Sequence, residues 1–284
     1  MIITTIKELR TYLDTHRQSG KTIGFVPTMG FLHEGHLSLI RRAKAENDIV
    51  VMSDFVNPTQ FAPNEDFESY PRNIEQDEQL AVGAGADIVF YPSVQEMYPT
   101  DSSTFVEVMG DITKVLCGAS RPSHFRGVTT VVAMLFNIVQ PHRAYFGQKD
   151  AQQAAVLIKM VNDLHMNIEL IVCPIVREED GLAMSSRNIY LSADERAQAV
   201  VLNQALLKAK AAFENGETDV QKLIGIISGK INEAPLAHID YVNIYEYPSL
   251  KTTEEIGAKA LAAVAVKFGK TRLIDNIILK NKCN

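Results

Sequence analysis

The chain has 284 residues, of which 46% are hydrophobic and 22% charged, a composition typical of a globular protein with one or two domains. Its 28 basic and 34 acidic side chains leave a formal charge of -6, which argues against a general attraction to nucleic acid or to an anionic membrane surface. The longest weakly charged stretch, residues 127 to 141, falls short of the roughly 18 apolar residues of a membrane span and predicts a buried helix. We expect a cytoplasmic protein without a secretory signal and without nucleic-acid or membrane partners.

The three cysteines do not predict a metal or disulfide framework. Cys117, Cys173 and Cys283 are odd in number, widely spaced and contain no C-x-x-C pair. This usage is typical of reduced thiols in a reducing compartment, and it makes a structural zinc site unexpected.

The first part of the chain alternates short runs rich in β-branched residues with longer segments of helical period. This alternation predicts a parallel sheet covered by helices. The predicted strands are 22–27, 48–56, 87–92, 104–108, 143–147 and 168–176, and the predicted helices lie near 35–47, 73–84, 125–140 and 150–164.

After about residue 176 the pattern changes, and we place a domain boundary there, giving domains 1–176 and 177–284. A polar, turn-rich stretch leads to one long helix, from a Ser192 N-cap to a Gly216 stop. A second helix near 218–233 and strands in 237–247, 260–268 and 272–277 follow, with no helices between the last strands. This order predicts a small antiparallel α+β domain.

One stretch at the end of the first strand indicates a phosphate site. In PTMGFLHEGHLSLI, residues 27–40, His33 and His36 stand at or near the N-terminus of a helix. Free amides and the positive end of the helix dipole favour an anion there, and Gly30 and Gly35 allow close approach of the backbone. Two imidazoles three residues apart share a face and could donate to the same phosphoryl oxygens.

Other interpretations of the histidine pair remain open on this stretch alone. A His-x-x-His sequence is often a surface or capping pair, and it could also be half of a metal site. The zincin order His-Glu-x-x-His is absent, as are the G-x-G-x-x-G and G-x-x-x-x-G-K-[ST] nucleotide loops. Two common nucleotide-binding loops are therefore excluded.

A second segment strengthens the phosphate interpretation. His-x-Gly-His after the first strand of a parallel sheet resembles the signature of the nucleotidylyltransferase superfamily, and Met184-Ser185-Ser186-Arg187 resembles that superfamily's later phosphate loop. Two hydroxyls beside an arginine suit β- and γ-phosphates, because the guanidinium can bind an anion through two donors.

Several longer motifs are similar to the pantothenate synthetase family. They are FVNPTQF (55–61), YPRNIEQD (70–77), GASRPSHFRGV (118–128), YFGQKDAQQ (145–153), DGLAMSSRN (180–188) and RLIDN (272–276). The resemblance implies a Rossmann-like α/β domain with a smaller C-terminal α+β lid domain, in a cytoplasmic homodimer. It also implies that pantoate is joined to β-alanine with ATP and Mg²⁺, through a pantoyl-adenylate, with release of pyrophosphate and then AMP.

The resemblance also implies a role for individual residues. ATP would be bound by Met29, Gly30, Phe31, Leu32, His33, Glu34, Gly35, His36, Gly147, Gln148, Lys149, Asp150, Val176, Met184, Ser185, Ser186 and Arg187. Gln60 and Gln153 would hold pantoate, Gln60 would also face β-alanine, and Asp77 would be the carboxylate associated with Mg²⁺. His36 would be the proton donor, assisted in catalysis by His33, Lys149 and Arg187, with Asn57, Arg121 and His124 as second-tier contacts.

Each of these residues taken singly has a plainer interpretation. Gln60 could cap a strand end, Gln153 could be a solvated glutamine, and Asp77 lies in an acidic run that could be a solvated helix face. Residues 61–73 are either a gate that closes the site or an ordinary surface loop.

Two positions depart from the expected pattern. Ser123 stands in RPSHFRG where glycine is common in the family, which leaves the geometry around His124 open. Asp54 lies in a strand where an apolar residue would be easier to bury, and a buried carboxylate needs a partner.

Two rival functions follow from the same motifs. Another transferase of the superfamily would move a nucleotide onto a phosphate acceptor, whereas a nucleotide-binding regulator would keep the fold without catalysis. The regulator predicts loss of at least one of His36, Lys149 or Arg187, and all three are present.

Overall fold

A computed structural model describes residues 1–63, 65 and 67–281 of the chain. The chain forms two compact units, one of residues 1–113 and 118–174 and the other of residues 114–117 and those from 175 onward. Cys283, and residues 64 and 66 of the segment proposed as a gate, lie outside the described residues.

The first unit alternates strands and helices. In chain order its elements are β1 (Ile2–Ile3), α1 (Ile6–Gln18), β2 (Ile23–Thr28), α2 (Glu34–Glu46), β3 (Ile49–Asp54), α3 (Ile74–Ala84), β4 (Ile88–Phe90), α4 (Val94–Met97), α5 (Cys117–Ser120, shared at its first residue with the second unit), α6 (His124–Val139), β5 (Arg143–Gly147), α7 (Ala151–Asp163) and β6 (Glu169–Cys173). The strands pair in parallel in the order β1-β4-β3-β2-β5-β6.

Helices cover both faces of this sheet, which explains the nearly continuous apolar sequence of its central strands. Helices α2 and α3 pack together on one face, where Val26, Val50 and Met52 meet Leu39 and Ile40. On the other face, helix α6 packs against α1 and α7. There the ring of Phe136 lies 6.4 Å from the rings of both Phe25 and Phe146, in edge-to-face contacts.

The strand order locates the ligand crevice of such a sheet. From β2 the chain moves outward through β3 and β4, and it later returns to add β5 and β6 on the other side of β2. Ligands of open α/β sheets bind outside the carboxyl ends of the strands where this direction reverses. The segments at that point are the turn after β2, residues 29–33, and the turn after β5, residues 147–150.

The predicted strand at 104–108 is wrong. Residues 103–109 have no regular secondary structure, and side chains of α6 satisfy the backbone there in place of a neighbouring strand. The amide of Val106 donates to Thr130 Oγ1 at 3.0 Å, and its carbonyl accepts from Thr130 Oγ1 at 3.3 Å and from Thr129 Oγ1. Helix α1, which was not predicted, is capped by Thr5 and buries Leu9 and Leu13.

The second unit packs helices on one side of an antiparallel sheet. Its elements are α8 (Ala193–Ala199), α9 (Val201–Glu214), α10 (Val220–Ile231), β7 (Ala237–Glu246), β8 (Lys259–Phe268) and β9 (Thr271–Lys280), with strand order β7-β8-β9. The prediction of one long helix after Ser192 is wrong, because two helices, α8 and α9, meet at Val200. Ser192 is the N-cap of α8, as predicted, and forms a capping box with Glu195. The predicted fold class, a Rossmann-like parallel sheet followed by a small α+β part, is confirmed.

The apolar stretch at 127–141 is a core helix, as predicted. Of the 16 residues of α6, 12 are buried, including Thr129 and Thr130. Over the part of the chain that the structure describes, no helix combines the length and the apolar character needed to cross a membrane.

Candidate active site

The turn after β2 has an unusual backbone conformation. Gly30 and Phe31 have consecutive positive φ angles of 76° and 51°, and Thr28 Oγ1 accepts from the Gly30 amide at 3.1 Å while donating to the Ser53 carbonyl at 2.8 Å. A Cβ atom at Gly30 would stand 2.4 Å from Asp54 Oδ1. Glycine is therefore required here both by its φ angle and by the carboxyl group packed beneath it.

Asp77 of α3 holds this turn in place. Its Oδ2 accepts from the Phe31 amide and its Oδ1 from the Leu32 amide, both at 2.7 Å, and the residue is only 1% exposed. Asp54 is buried and hydrogen-bonded to Asp77, and burial, followed by the charge of Asp77, raises the pKa of Asp54. Asp77 is the partner that the buried Asp54 needs.

This geometry does not fit Asp77 as a direct ligand of Mg²⁺. Mg²⁺ prefers near-octahedral oxygen ligands and usually retains several waters, which requires accessible oxygens. Both oxygens of Asp77 already accept backbone amides, and its side chain is closed to solvent. Within residues 1–63, 65 and 67–281, no three or more His, Cys, Asp or Glu side chains are grouped so as to hold a metal ion.

The two histidines cap helix α2 reciprocally. His33 is the N-cap, and its Nδ1 accepts from the Gly35 amide at 3.1 Å, while His36 Nδ1 accepts from the His33 amide at 3.3 Å. The two rings lie 4.1 Å apart between centroids. Because both Nδ1 atoms act as acceptors, the proton of each neutral ring is assigned to Nε2. Each ring therefore retains one N–H donor.

Both imidazoles are neutral at pH 7. Burial, and then the nearby positive charge of Lys149, lowers the pKa of His33 to about 4. Burial also places the pKa of His36 well below its usual value, with smaller contributions from His33 and Lys149. The pair thus offers two Nε2–H hydrogen-bond donors rather than two cations.

The turn after β5 brings a positive charge to the same place. Gly147 ends the strand, residues 148–150 form a 3-10 turn, and α7 begins at Ala151. Lys149 and Asp150 both act electrostatically on His33, which places this turn beside the histidine pair. Gln153 is partly exposed in the first turn of α7.

Gln60 is also brought to the turn after β2. It ends a short 3-10 helix, Pro58–Gln60, is 8% exposed, and its Nε2 contacts Met29 Sδ at 2.9 Å. Its Oε1 accepts from Asn57 Nδ2 at 3.2 Å, and Asn57 Oδ1 accepts from Tyr98 Oη at 2.7 Å. A thioether is a weak acceptor, so the Gln60 amide can exchange this contact for a stronger one with a ligand carboxylate.

Arg121 and His124 contact the backbone of the 3-10 helix that carries Gln60. Arg121 Nη2 and His124 Nδ1 lie 3.2 and 3.0 Å from the Gln60 carbonyl, and Arg121 forms a two-point ion pair with Glu65 at 2.5 Å. Burial, and then the charge of Arg121, lowers the pKa of His124 to about 4. With Ser123 at the N-cap, α6 begins without a side-chain cap hydrogen bond from the described residues.

The remaining predicted site residues belong to the second unit. Val176 and Met184 meet in a hairpin, where the Met184 amide donates to the Val176 carbonyl at 3.0 Å. Ser185 caps the 3-10 helix Ser186–Tyr190 and accepts from the Arg187 amide at 3.2 Å.

Sequence reasoning missed the residues that hold this second loop. Asn188 Nδ2 donates to Glu178 Oε1 at 2.8 Å and to the Ala183 carbonyl at 3.1 Å, and Arg196 binds Glu178 at 2.7 Å. Arg177 forms a two-point ion pair with the buried Asp275. Asn188 and Asp275 lie within the motifs DGLAMSSRN and RLIDN, so the motifs could have indicated that these two residues matter. Their partners could not be read from the motifs, because Glu178 lies 10 residues from Asn188 and Arg177 lies 98 residues from Asp275.

Comparison with known proteins identifies the family. The chain matches the pantoate-beta-alanine ligase family over residues 1–278. It is 58% identical over 279 residues to the pantothenate synthetase of Acetivibrio thermocellus, covering 98% of this chain and 99% of that one. It is also 58% identical over 278 residues to the pantothenate synthetase of Thermotoga neapolitana, with the same two shares covered.

Solved structures agree with the sequence comparison. The pantothenate synthetase of Thermus thermophilus superimposes with a TM-score of 0.94 at 45% identity, covering 99% of both chains. A pantoate-beta-alanine ligase from Francisella tularensis, solved in complex with beta-gamma ATP and beta-alanine, gives a TM-score of 0.78 at 35% identity, covering 98% of this chain and 97% of that one. The chain therefore belongs to the pantoate-beta-alanine ligase family.

Proposed function

We propose that this protein condenses pantoate with β-alanine at the expense of ATP, forming pantothenate, AMP and pyrophosphate. The observation that carries the proposal is the pair of neutral imidazoles at the crevice of the parallel sheet. Their two Nε2–H donors lie beside the turn that bears Lys149, in a chain of the pantoate-beta-alanine ligase family.

We propose two chemical steps through a pantoyl-adenylate. The pantoate carboxylate attacks the α-phosphorus of ATP, a new P–O bond forms, and the bond to the leaving pyrophosphate breaks. The amine of β-alanine then attacks the activated carbonyl, loses a proton and displaces AMP. The mixed anhydride hydrolyses readily, so the reaction needs a site that excludes water.

The described residues of the first unit suit the first step. His33, His36 and Lys149 can meet the negative charge that develops on the α-phosphate, since preorganised donors lower the barrier most where charge builds up. Gln60 and Gln153 can hold pantoate through neutral amides, which orient a carboxylate with less withdrawal of charge than an arginine would. Gln60, buried at the Met29 contact, can also face β-alanine.

The phosphate loop of the second unit is assigned to the leaving group. Ser185, Ser186 and Arg187 supply hydroxyl and guanidinium donors suited to the β- and γ-phosphates. The other residues proposed to bind ATP are Val176, Met184, residues 29–36 and residues 147–150.

We propose that ATP is used with Mg²⁺, that the enzyme acts in the cytoplasm, and that it is a homodimer. Support for self-association comes from segment 103–109. Phe105 and Met109 there are 56% and 72% exposed. Large apolar side chains that are exposed to solvent are candidates for an interface with a second chain.

The decisive assay measures AMP and pyrophosphate formed from ATP and Mg²⁺, with pantoate and β-alanine omitted in turn. Pyrophosphate release that requires pantoate, followed by AMP release completed by β-alanine, is the expected result. A folded protein that binds ATP but releases no pantoate-dependent pyrophosphate would contradict the proposal and favour another acceptor or a regulator.

A further inference from the structure

The turn of residues 29–32 binds a carboxylate of the protein itself, that of Asp77. Successive backbone amides beside residues of positive φ form concave sites that bind anions in many proteins. Here the amides of Phe31 and Leu32 converge on one carboxylate, each at 2.7 Å from a different oxygen of Asp77. The place that a ligand could take in such a turn is thus filled by a side chain of α3.

Two buried contacts fix the carboxylate itself. Asp54, at the end of β3, is 4% exposed and hydrogen-bonded to Asp77, and it packs so closely beneath Gly30 that no Cβ fits there. Asp77 is therefore held between α3, β3 and the turn, with its oxygens directed at backbone amides and at a carboxyl group. Neither oxygen is presented to solvent, where a hydrated cation would bind.

The same hydrogen bonds connect Asp77 to the proposed catalytic pair. Leu32, whose amide Asp77 holds, precedes His33, and the His33 amide donates to His36 Nδ1 at 3.3 Å. Placement of the turn thus sets where His33 caps α2 and which way both Nε2–H groups point. A displacement of about 1 Å in such donors is enough to reduce a rate substantially.

We propose that Asp77 is a positioning residue, which orders residues 29–32 and through them the His33–His36 pair, and that it does not coordinate the Mg²⁺ of the reaction. The inference rests on the proposed function for its kinetic part. It assigns Asp54 a role as well, as the buried partner that fixes the orientation of the Asp77 carboxylate.

The test compares Asp77→Asn with Glu75→Gln, a matched loss of one carboxylate at an exposed position of the same helix. Asparagine keeps the size of the side chain but replaces one acceptor oxygen with a donor, so one of the two amides loses its partner. Three quantities are measured in both variants. The first two are kcat and the Mg²⁺ concentration that gives half-maximal activity. The third is the affinity for Mn²⁺ of the protein bound to a non-hydrolysable ATP analogue, measured by electron paramagnetic resonance.

Positioning predicts a particular combination of results. In Asp77→Asn, kcat should fall by roughly tenfold or more, whereas the half-saturating Mg²⁺ concentration and the Mn²⁺ affinity should stay within about twofold of wild type. The ¹⁵N resonances of His33 and His36 should shift, because their hydrogen bonds to backbone amides change. Glu75→Gln should match wild type in all of these measurements.

Three outcomes would overturn the inference. They are an unchanged kcat, a kcat restored by excess Mg²⁺, and a Mn²⁺ affinity that falls by about tenfold or more, as expected for loss of a metal-binding carboxylate. If Asp77→Asn does not fold, Asp54→Leu serves in its place, with Ser53→Ala as its control. Ser53 is the buried neighbour whose hydroxyl has no hydrogen-bond partner among the described residues.

For Asp54→Leu, a reduced kcat with unchanged Mn²⁺ affinity supports the inference, and weakened Mn²⁺ binding or an unchanged kcat opposes it. Failure of the proposed function is distinguishable from failure of this inference. A wild-type protein without pantoate-dependent pyrophosphate release defeats the function, while the Mn²⁺ affinities and histidine resonances still test Asp77.

Discussion

At the scale of single residues, the opening motif combines two properties that a sequence pattern does not distinguish. His33 and His36 are a capping pair, because each Nδ1 accepts a backbone amide at the start of α2. They are also candidate catalytic groups, because this capping leaves both Nε2–H groups as donors. The structural and the chemical interpretations of His-x-Gly-His are therefore compatible.

The catalytic assignment predicts a specific kinetic defect. Replacement His36→Ala removes a donor proposed to act mainly in the transition state, so kcat should fall roughly 10²-fold with a smaller change in KM. Steady-state kinetics with each substrate varied would measure both constants. His238→Ala, at an exposed position of β7, is the control, and turnover near that of wild type in His36→Ala would contradict the assignment.

The lowered pKa of His33 predicts a pH dependence of stability. The unfolded chain binds a proton at His33 near pH 6.5, whereas the folded protein does so only near pH 4. The unfolded state thus binds more protons between these values, and the free energy of unfolding falls as the pH is lowered from about 6.5 to about 4. Replacement His33→Asn keeps an N-cap acceptor and should make this dependence shallower.

Urea unfolding of wild type and His33→Asn over that pH range would measure the effect. His124 also has a lowered pKa and contributes equally to both proteins. Burial is the largest cause of the lowered pKa of His36, and His33 is a smaller one, so the difference between the two curves reports His33 together with its effect on His36. Parallel curves would show that His33 titrates alike in the folded and unfolded states, contrary to this expectation.

The assignment of Gln153 concerns binding more than catalysis. Because its amide is proposed to hold pantoate in both the ground state and the transition state, Gln153→Ala should raise the KM for pantoate several-fold and leave the KM for ATP nearly unchanged. The neighbouring Gln152 is not a suitable control, since its Nε2 donates to the buried Ile112 carbonyl. An unchanged pantoate KM would reject the role.

At the scale of elements, the approach of α6 to the 3-10 helix 58–60 determines where Gln60 lies. A Cβ atom at Gly127 would stand 2.4 Å from the Thr59 carbonyl oxygen and 2.7 Å from the Gln60 Cα. Both are backbone atoms, so the two segments could relax only by moving apart. Gly127 in HFRG is therefore a packing requirement of the candidate site.

Replacement Gly127→Ala should be harmful for this reason, although alanine favours a helix. Overpacking should cost roughly 1–3 kcal/mol of unfolding free energy and raise the KM for pantoate by displacing Gln60. Gly225→Ala is the matched control, since its Cβ would meet no described atom within 4 Å in α10, and it should stabilise by about 0.5–1 kcal/mol. Equal effects of the two changes in chemical denaturation would contradict the packing argument.

Element prediction succeeded where local pattern and tertiary packing agree. Strand β5 lies at its predicted residues, and α2, α3, α6 and α7 each lie within one residue of theirs, because their apolar spacing matches the faces that they bury. The segment 104–108 has the β-branched composition of a strand, but none of the described strands pairs with it, and the hydroxyls of Thr129 and Thr130 satisfy its backbone instead. Composition alone does not indicate whether a partner strand exists.

At the scale of the whole molecule, the proposed homodimer predicts a molar mass in solution of twice the 31.5 kDa of one chain. Met109→Glu places a charge in the exposed apolar segment 103–109 and should weaken self-association by about tenfold or more. Analytical ultracentrifugation over a range of concentrations would measure it. Leu164→Glu, at an exposed position after α7, is the control, and a monomeric wild-type protein would contradict the proposal.

The sequence by itself determined the fold class, the family resemblance and, to within one residue, the ends of β5, α2, α3, α6 and α7. These follow from local information, namely the apolar period, the caps and motifs of a few consecutive residues. The short motif His33–His36 also indicated a helix N-terminus, which the structure confirms.

Only the tertiary structure decided how distant residues combine. Asp77 lies 46 residues from the Phe31 amide that it accepts, and Arg121 lies 56 residues from Glu65, so no local pattern indicates either contact. The buried Asp54 was recognised in the sequence as needing a partner, but its pairing with Asp77 depends on where β3 and α3 meet. Burial and hydrogen bonding are properties of the packed chain, and they decide whether a carboxylate meets a cation or a backbone amide.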